Sequence, residues 1–180
     1  MDSTKTKSRS WWRIAGIAAL LLIAIAAFVV IKLRQRIPPG MILDIRAGLT
    51  ARHISDPDAR LAQYLKARYG SMDDPANRRK VFLDFFDVEH IKALQLLVRH
   101  SPEAHREGSI LAMSRWVEHY RETLTPAEQA DLHQQFSSDQ GRAMLHQATA
   151  QYNSQGVEYR GETATVISQL LRTLNAVQNP

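Results

Sequence analysis

The sequence of 180 residues contains no cysteine. This absence excludes disulfide scaffolds, cysteine-ligated zinc, iron–sulfur clusters, thiol nucleophiles and a lipid anchor on an N-terminal cysteine. The eight glycines are dispersed, and they form neither a phosphate-binding loop nor the Gly-x-Ser-x-Gly turn of many hydrolases. No useful stretch alternates apolar and polar residues, so we expect no strands. We therefore expect no enzyme and no cofactor, and a hydrolase with a dispersed site is the least favoured class.

An excess of positive charge is also lacking outside the N-terminal region, although the whole chain carries a net charge of +5. Residues 1–13 and 32–36 hold seven Lys and Arg against the single Asp2. From Ile37 onward, sixteen Lys and Arg stand against seventeen Asp and Glu. A nucleic-acid-binding domain needs a basic stripe on its own surface, and the short run 78–80 is the one candidate. We expect no nucleic-acid partner.

One long hydrophobic run is present. From Ile14 to Ile31 each of the 18 residues is apolar or glycine, and a helix of that length spans about 27 Å, close to the hydrocarbon thickness of a bilayer. Trp11 and Trp12 precede the run and Lys32 follows it, as is typical of residues at the headgroup level. The run predicts a transmembrane anchor with the lipid bilayer as partner. A cleaved signal peptide is the alternative, although its apolar region is usually only about 7–15 residues long.

The orientation of this anchor is nearly balanced by charge. Four Lys and Arg precede the run and three follow it, and such residues favour the cytoplasmic side. The short leading tail favours a cytoplasmic N-terminus, whereas the basic residues 32–36 favour the reverse. We expect a single-pass protein of a bacterial inner membrane, with the N-terminus in the cytoplasm and the C-terminal domain in the periplasm.

These features predict four parts of the chain. A basic tail covers 1–13, the anchor covers 14–31, a basic and Pro/Gly-containing linker covers 32–40, and a soluble helical domain covers 41–180. The segment 41–49 is apolar enough either to lie on the membrane surface or to dock on the rest of the domain.

Prolines mark the starts of several predicted helices. A residue that favours the N-cap stands directly before a proline at four places, because proline suits the first helical position. Glu128 lies three residues after the last of these caps, where it completes a capping box. With apolar residues at helical spacing, the sequence predicts an all-α fold, a compact bundle of about six to seven helices after the anchor. The four capping residues are Asp56, Asp74, Ser101 and Thr125.

Histidines and aromatic residues are the remaining candidates for a site. The seven histidines do not pair at three- or four-residue spacing with a carboxylate, and His100 and His105 are five apart, so we expect no metal site. The larger aromatic residues recur at helical spacing, which is more typical of a core than of a ligand pocket. They are Phe82, Phe85, Phe86, Trp116, Tyr120 and Phe136.

The C-terminal part carries two different motifs at successive helix starts, and an apolar helix from about Thr165 follows them. The motifs read Leu124-Thr125-x-x-Glu128 and then Phe136-x-Ser138-x-x-Gly141-x-x-Met144. Through this pattern the segment from about 124 to 174 resembles a family of bacterial, mostly exported helical domains of unknown function. The resemblance implies a periplasmic location and assigns no activity. In physical terms, we expect Phe136 to be buried at the helix junction, Ser138 to cap the next helix and Gly141 to allow close helix approach.

Two functions remain from the sequence. The first is a membrane-anchored protein that binds other membrane or periplasmic proteins, as an accessory or assembly subunit of a membrane complex. The alternative is an extracytoplasmic binding or sensor domain for an apolar ligand. An apolar cavity of several hundred Å3 with a few polar groups would favour the alternative.

Overall fold

The computed structural model describes residues 38–178, and within that range the chain forms α-helices and no strands. The predicted all-α bundle is confirmed, with eight helices in the described range rather than six to seven. The additional helix is α1, which begins at Pro39, inside the range predicted as linker. Proline is tolerated there because the first helical residue needs no amide donor. The helices are α1 Pro39–Ala51, α2 Pro57–Tyr69, α3 Pro75–Asp84, α4 Val88–Arg99, α5 Glu103–Thr123, α6 Pro126–Ser137, α7 Asp139–Asn153 and α8 Val157–Gln178.

Within residues 38–178, no helix combines the length and the hydropathy that crossing a membrane requires. The predicted anchor falls on residues outside the described range. The same is true of the five residues named for it, which are Trp11, Trp12, Ile14, Ile31 and Lys32.

Local capping explains where most of the helices begin. The carboxylate of Asp56 accepts a hydrogen bond from the Ala59 amide at 2.7 Å, and Asp74 accepts one from Ala76 at 2.9 Å. Before α6, the amide and the hydroxyl of Thr125 donate to Glu128, and these bonds hold the pKa of that carboxyl below its usual range.

The predicted cap at Ser101 is wrong. Helix α5 begins at Glu103 with Pro102 in the N-cap position, where the backbone is extended. Ser101 is therefore one residue too far from the free amides of α5. Its hydroxyl instead donates to the Leu97 carbonyl at the end of α4, at 2.7 Å.

Helix α5 is central to the packing, because it contacts α2 and runs along much of α8. Five of the six aromatic residues expected in the core are buried around it, Trp116 is partly buried against them, and the Phe82 and Tyr120 rings lie 5.1 Å apart. The expectation that these aromatic side chains form core is confirmed. One cavity next to this core has a volume of only about 20 Å3, room for about one water molecule.

The junction of α6 and α7 agrees with the expectations for its motif. Phe136 is buried, and the Ser138 hydroxyl accepts a hydrogen bond from the Gly141 amide at 3.0 Å. A Cβ at Gly141 would lie 2.1 Å from the Gln135 carbonyl oxygen. Only glycine therefore fits where α7 turns back against the end of α6.

Candidate functional site

A groove of about 800 Å3 opens between α1, α2, α4 and α5. Its surface is mainly apolar, and its volume lies within the roughly 300–1,000 Å3 of small-molecule sites. The groove is therefore the best candidate for a functional site in the described part of the chain. Apolar residues from all four helices line it, among them Leu49, Leu61, Leu94, Leu97, Val98 and Met113.

Helix α1 forms one wall of the groove. Ala47 and Ala51 are buried against the bundle, together with the carboxylate of Asp44. A Cβ at Gly48 would lie 2.5 Å from a methyl carbon of Leu97, so the missing side chain allows α1 to approach α4 closely. The sequence left open whether the segment 41–49 lies on the membrane surface or docks on the domain. In the structure it docks on the domain.

The polar side chains of the groove are basic or neutral. No Asp or Glu occurs among the described residues that line it. His100 and His105, which the sequence offered only as metal ligands, therefore lie in a basic groove. The two arginines and three histidines of the lining are Arg52, Arg60, His53, His100 and His105.

Arg60 is held in place by neutral oxygen atoms. Its Nε donates to the Ile54 carbonyl at 2.6 Å, and its Nη2 donates to the Ser55 carbonyl at 2.7 Å. Its Nη1 donates to the Ser109 hydroxyl at 3.1 Å and lies 3.5 Å from the His105 carbonyl oxygen. These bonds fix the guanidinium without neutralising its charge, since none of the four acceptors is a carboxylate.

A buried polar cluster lies behind the wall formed by α1. Asp44, which is 1% exposed, accepts hydrogen bonds from the Tyr64 hydroxyl at 2.9 Å and from Arg68 Nε at 2.7 Å. His90 Nδ1 lies 3.2 Å from the other carboxylate oxygen, an ion-pair distance without the alignment of a hydrogen bond. Arg68 also lies 3.7 Å from Asp84. One carboxylate on α1 is thereby tied to both α2 and α4.

These contacts determine how Asp44 titrates. Burial by itself raises the pKa of the Asp44 carboxyl. The opposing effects are larger in sum: the contact with His90, the charge of His90, and the hydrogen bonds from Arg68 and Tyr64 hold the pKa below its usual range. Burial and the negative charge of Asp44 raise the pKa of the Tyr64 hydroxyl well above its usual value. Asp44 is therefore an ionised acceptor and Tyr64 a protonated donor at neutral pH.

A carboxylate beside a histidine is an arrangement that acid–base catalysis uses, but this pair is closed to substrates. Asp44 and His90 are 1% and 4% exposed. We therefore assign this cluster to holding α1 in place. Among residues 38–178, no three His, Asp or Glu side chains are placed together to hold a metal ion.

The groove has no signature in the sequence. Its walls come from four helices between Ile45 and Met113, and no local pattern indicates that such distant segments leave space between them. The available signals were two histidines near the start of α5 and an apolar segment directly before α2. Neither signal identifies a groove, because the groove forms only where α1 packs on the other helices.

Comparisons with protein-family models, with curated proteins and with solved structures find no match to this chain. The resemblance of the C-terminal part to a family of exported helical domains therefore stays a prediction.

Proposed function

We propose that this protein is a membrane-anchored binding protein whose helical domain holds an apolar ligand in the groove beside α1. The observation that carries this proposal is the mainly apolar groove of about 800 Å3. A closed core would have favoured pure protein–protein binding. A large apolar surface with a few fixed polar groups is the usual composition of a ligand site.

The anchor is part of the same proposal. The apolar run from Ile14 to Ile31 has the length of a membrane span, and seven residues separate it from α1 at Pro39. A tether of this kind keeps a binding domain near the bilayer, where amphiphilic molecules are concentrated. We propose an inner-membrane location in a bacterium, with the N-terminus in the cytoplasm and the groove in the periplasm.

A reporter fusion tests the orientation. Alkaline phosphatase fused after residue 180 should be active, and green fluorescent protein at the same position, exported through the general secretory route, should be dark. The opposite pattern would overturn the periplasmic placement and would leave the groove proposal standing.

Photolabelling tests the groove. The full chain in phosphatidylcholine nanodiscs is exposed to a diazirine analogue of hexadecanol, and labelled peptides are identified by mass spectrometry. The proposed anchor will also be labelled, because it shares the bilayer with the probe, so the comparison is made within residues 38–178. There the labels should concentrate in peptides from α1, α4 and α5. Labels spread evenly over these residues, or absent from the three helices, would contradict the proposal.

Two leucines on α1 provide a matched pair of variants. Leu49 and Leu43 are 53% and 49% exposed, but only Leu49 lines the groove. Leu49→Gln should weaken labelling about fivefold, because burying half of a leucine side chain contributes about 1 kcal/mol. Leu43→Gln should leave labelling unchanged, and equal effects of both variants would count against the groove.

A second candidate is the accessory subunit that binds another membrane or periplasmic protein. Ile42 and Leu43 favour it, because they are exposed on α1 outside the groove lining, and exposed apolar groups in a cluster indicate an interaction surface. Purification from native membranes with mass spectrometry of co-eluting proteins separates the candidates. Loss of a partner in Leu43→Gln but not in Leu49→Gln would favour the subunit. A protein recovered alone would exclude it.

A further inference from the structure

We infer that the ligand of the groove is a single-chain amphiphile with a carboxylate head, that is, a long-chain fatty acid. This inference rests on the proposed function and specifies its ligand class. The structural basis is an apolar groove in which the formally charged side chains, among the described residues of the lining, are all cations.

The charge of the groove differs from that of the domain around it. From Ile37 onward the sequence carries one more acid than base, so a surface of average composition would expose both signs. The described lining instead contains Arg52 and Arg60 with three histidines, and none of the seventeen carboxylates. This selects for an anion, because a neutral chain would gain nothing from the arginines and a cation would be repelled.

Arg60 gives this charge a fixed position. Four contacts to neutral oxygens hold the guanidinium at the groove, so little side-chain entropy is lost when an anion binds. Hydrogen bonds between a guanidinium and a carboxylate are stronger than those to neutral acceptors. The buried acid behind the wall, Asp44, is already paired with Arg68 at 2.7 Å.

The size of the groove agrees with a small amphiphile. Its volume of about 800 Å3 lies within the roughly 300–1,000 Å3 of small-molecule sites. We expect the acyl chain to lie against the leucines of the lining and its carboxylate beside the arginines. An acidic helix of a partner protein is the other occupant that the test must separate.

Competition tests the inference. The full chain in phosphatidylcholine nanodiscs is labelled with the hexadecanol diazirine, and unlabelled hexadecanoate, hexadecanol or hexadecylammonium is added as competitor. Hexadecanoate should compete about tenfold better than hexadecanol, and hexadecylammonium should compete worst, because a carboxylate gains charged hydrogen bonds and an ammonium group is repelled by the arginines and finds no carboxylate in the described lining.

Two arginines on and beside α1 provide the control. Arg52 and Arg46 are both exposed, and only Arg52 lines the groove. Arg52→Gln should reduce the advantage of hexadecanoate over hexadecanol about threefold, whereas Arg46→Gln should leave it unchanged at the same net charge. Neither residue lies in the buried cluster around Asp44, so both variants should fold.

The outcomes separate the two proposals. Hexadecanoate and hexadecanol could reduce groove labelling equally, both in wild type and in Arg52→Gln. That result would support the groove as an apolar ligand site and would contradict the inference that its ligand carries a carboxylate. No labelling in α1, α4 or α5 overturns both. If a co-purified acidic protein displaces the label from the groove and hexadecanoate does not, the occupant is a helix of a partner protein and the fatty-acid inference is wrong.

Discussion

Asp44 ties α1, one wall of the groove, to the rest of the domain. It is the buried acid of α1, and it contacts Tyr64 and Arg68 on α2 and His90 on α4. Such a pair contributes little net stability relative to apolar residues, but removing one partner leaves the other charge buried and unpaired. The cluster therefore fixes the position of α1 more than it adds to the free energy of folding.

A comparison of two Asp–Arg pairs tests this role. Asp44–Arg68 and Asp58–Arg115 both have a closest N–O distance of 2.7 Å. The first pair is buried, with Asp44 1% and Arg68 8% exposed, whereas in the second pair Asp58 is 60% and Arg115 52% exposed. Asp44→Asn should lower the free energy of unfolding by about 3 kcal/mol. Asp58→Asn should lower it by less than about 1 kcal/mol. Urea denaturation measures both, and equal losses would show that burial does not control the effect.

The same carboxylate predicts a pH dependence. The folded-state pKa of Asp44 is lowered, so the folded state binds this proton less readily than the unfolded state, whose pKa is about 3.9. The stabilisation is therefore fully present above that pH and is lost as the pH falls through the lower folded-state pKa. The difference in urea midpoint between wild type and Asp44→Asn should be constant above about pH 5 and should shrink as the pH falls below about 4. A difference that stays constant would contradict the assignment.

At the scale of helices, two glycines differ in whether a neighbouring helix packs closely against them. Gly141 lies in the first turn of α7, against the backbone of α6, whereas Gly161 lies in α8 with no atom within 4 Å of an added Cβ. The same substitution should therefore have opposite effects at the two positions.

Gly141→Ala should lower the free energy of unfolding by about 1–3 kcal/mol, because the backbone of α6 must move. Gly161→Ala should raise it by about 0.5–1 kcal/mol, because alanine is the better helix former. Thermal unfolding of the two variants measures both signs. A loss in both variants would contradict the open space around Gly161.

The helices could be predicted from the sequence because their signals are local. Asp56, Asp74 and Thr125 each hydrogen-bond an amide two or three residues away, and that spacing is visible in the sequence. Ser101 misled because one residue of extended backbone at Pro102 delays α5. A cap pattern predicts a helix start to within a residue, but it does not specify which side chain completes it.

The candidate site could not be predicted in the same way. Asp44 finds its partners 20, 24 and 46 residues further along the chain, and nothing near position 44 indicates that this acid is buried. The leucines that line the groove follow the same helical spacing as core leucines. Whether such a residue contacts another helix or an open groove depends on where α1 docks, which is a property of the whole bundle.

At the scale of the whole molecule, three features combine in one account. The sequence supplies an apolar run that we propose as an anchor, the described domain supplies a groove with an apolar wall, and the lining supplies positive charge without an acid. Together they support a tethered domain that takes a fatty acid from, or presents it near, a membrane surface. This function requires that a fatty acid binds in the groove.

Methyl NMR of the full chain in nanodiscs measures that occupation most directly. With leucine methyl groups labelled and hexadecanoate titrated, signals of Leu49, Leu61 and Leu97 in the groove should shift saturably. Signals of Leu132 and Leu170, which are buried in the core and do not line the groove, should stay in place. Shifts of equal size in both sets, or none in the groove leucines, would contradict the account.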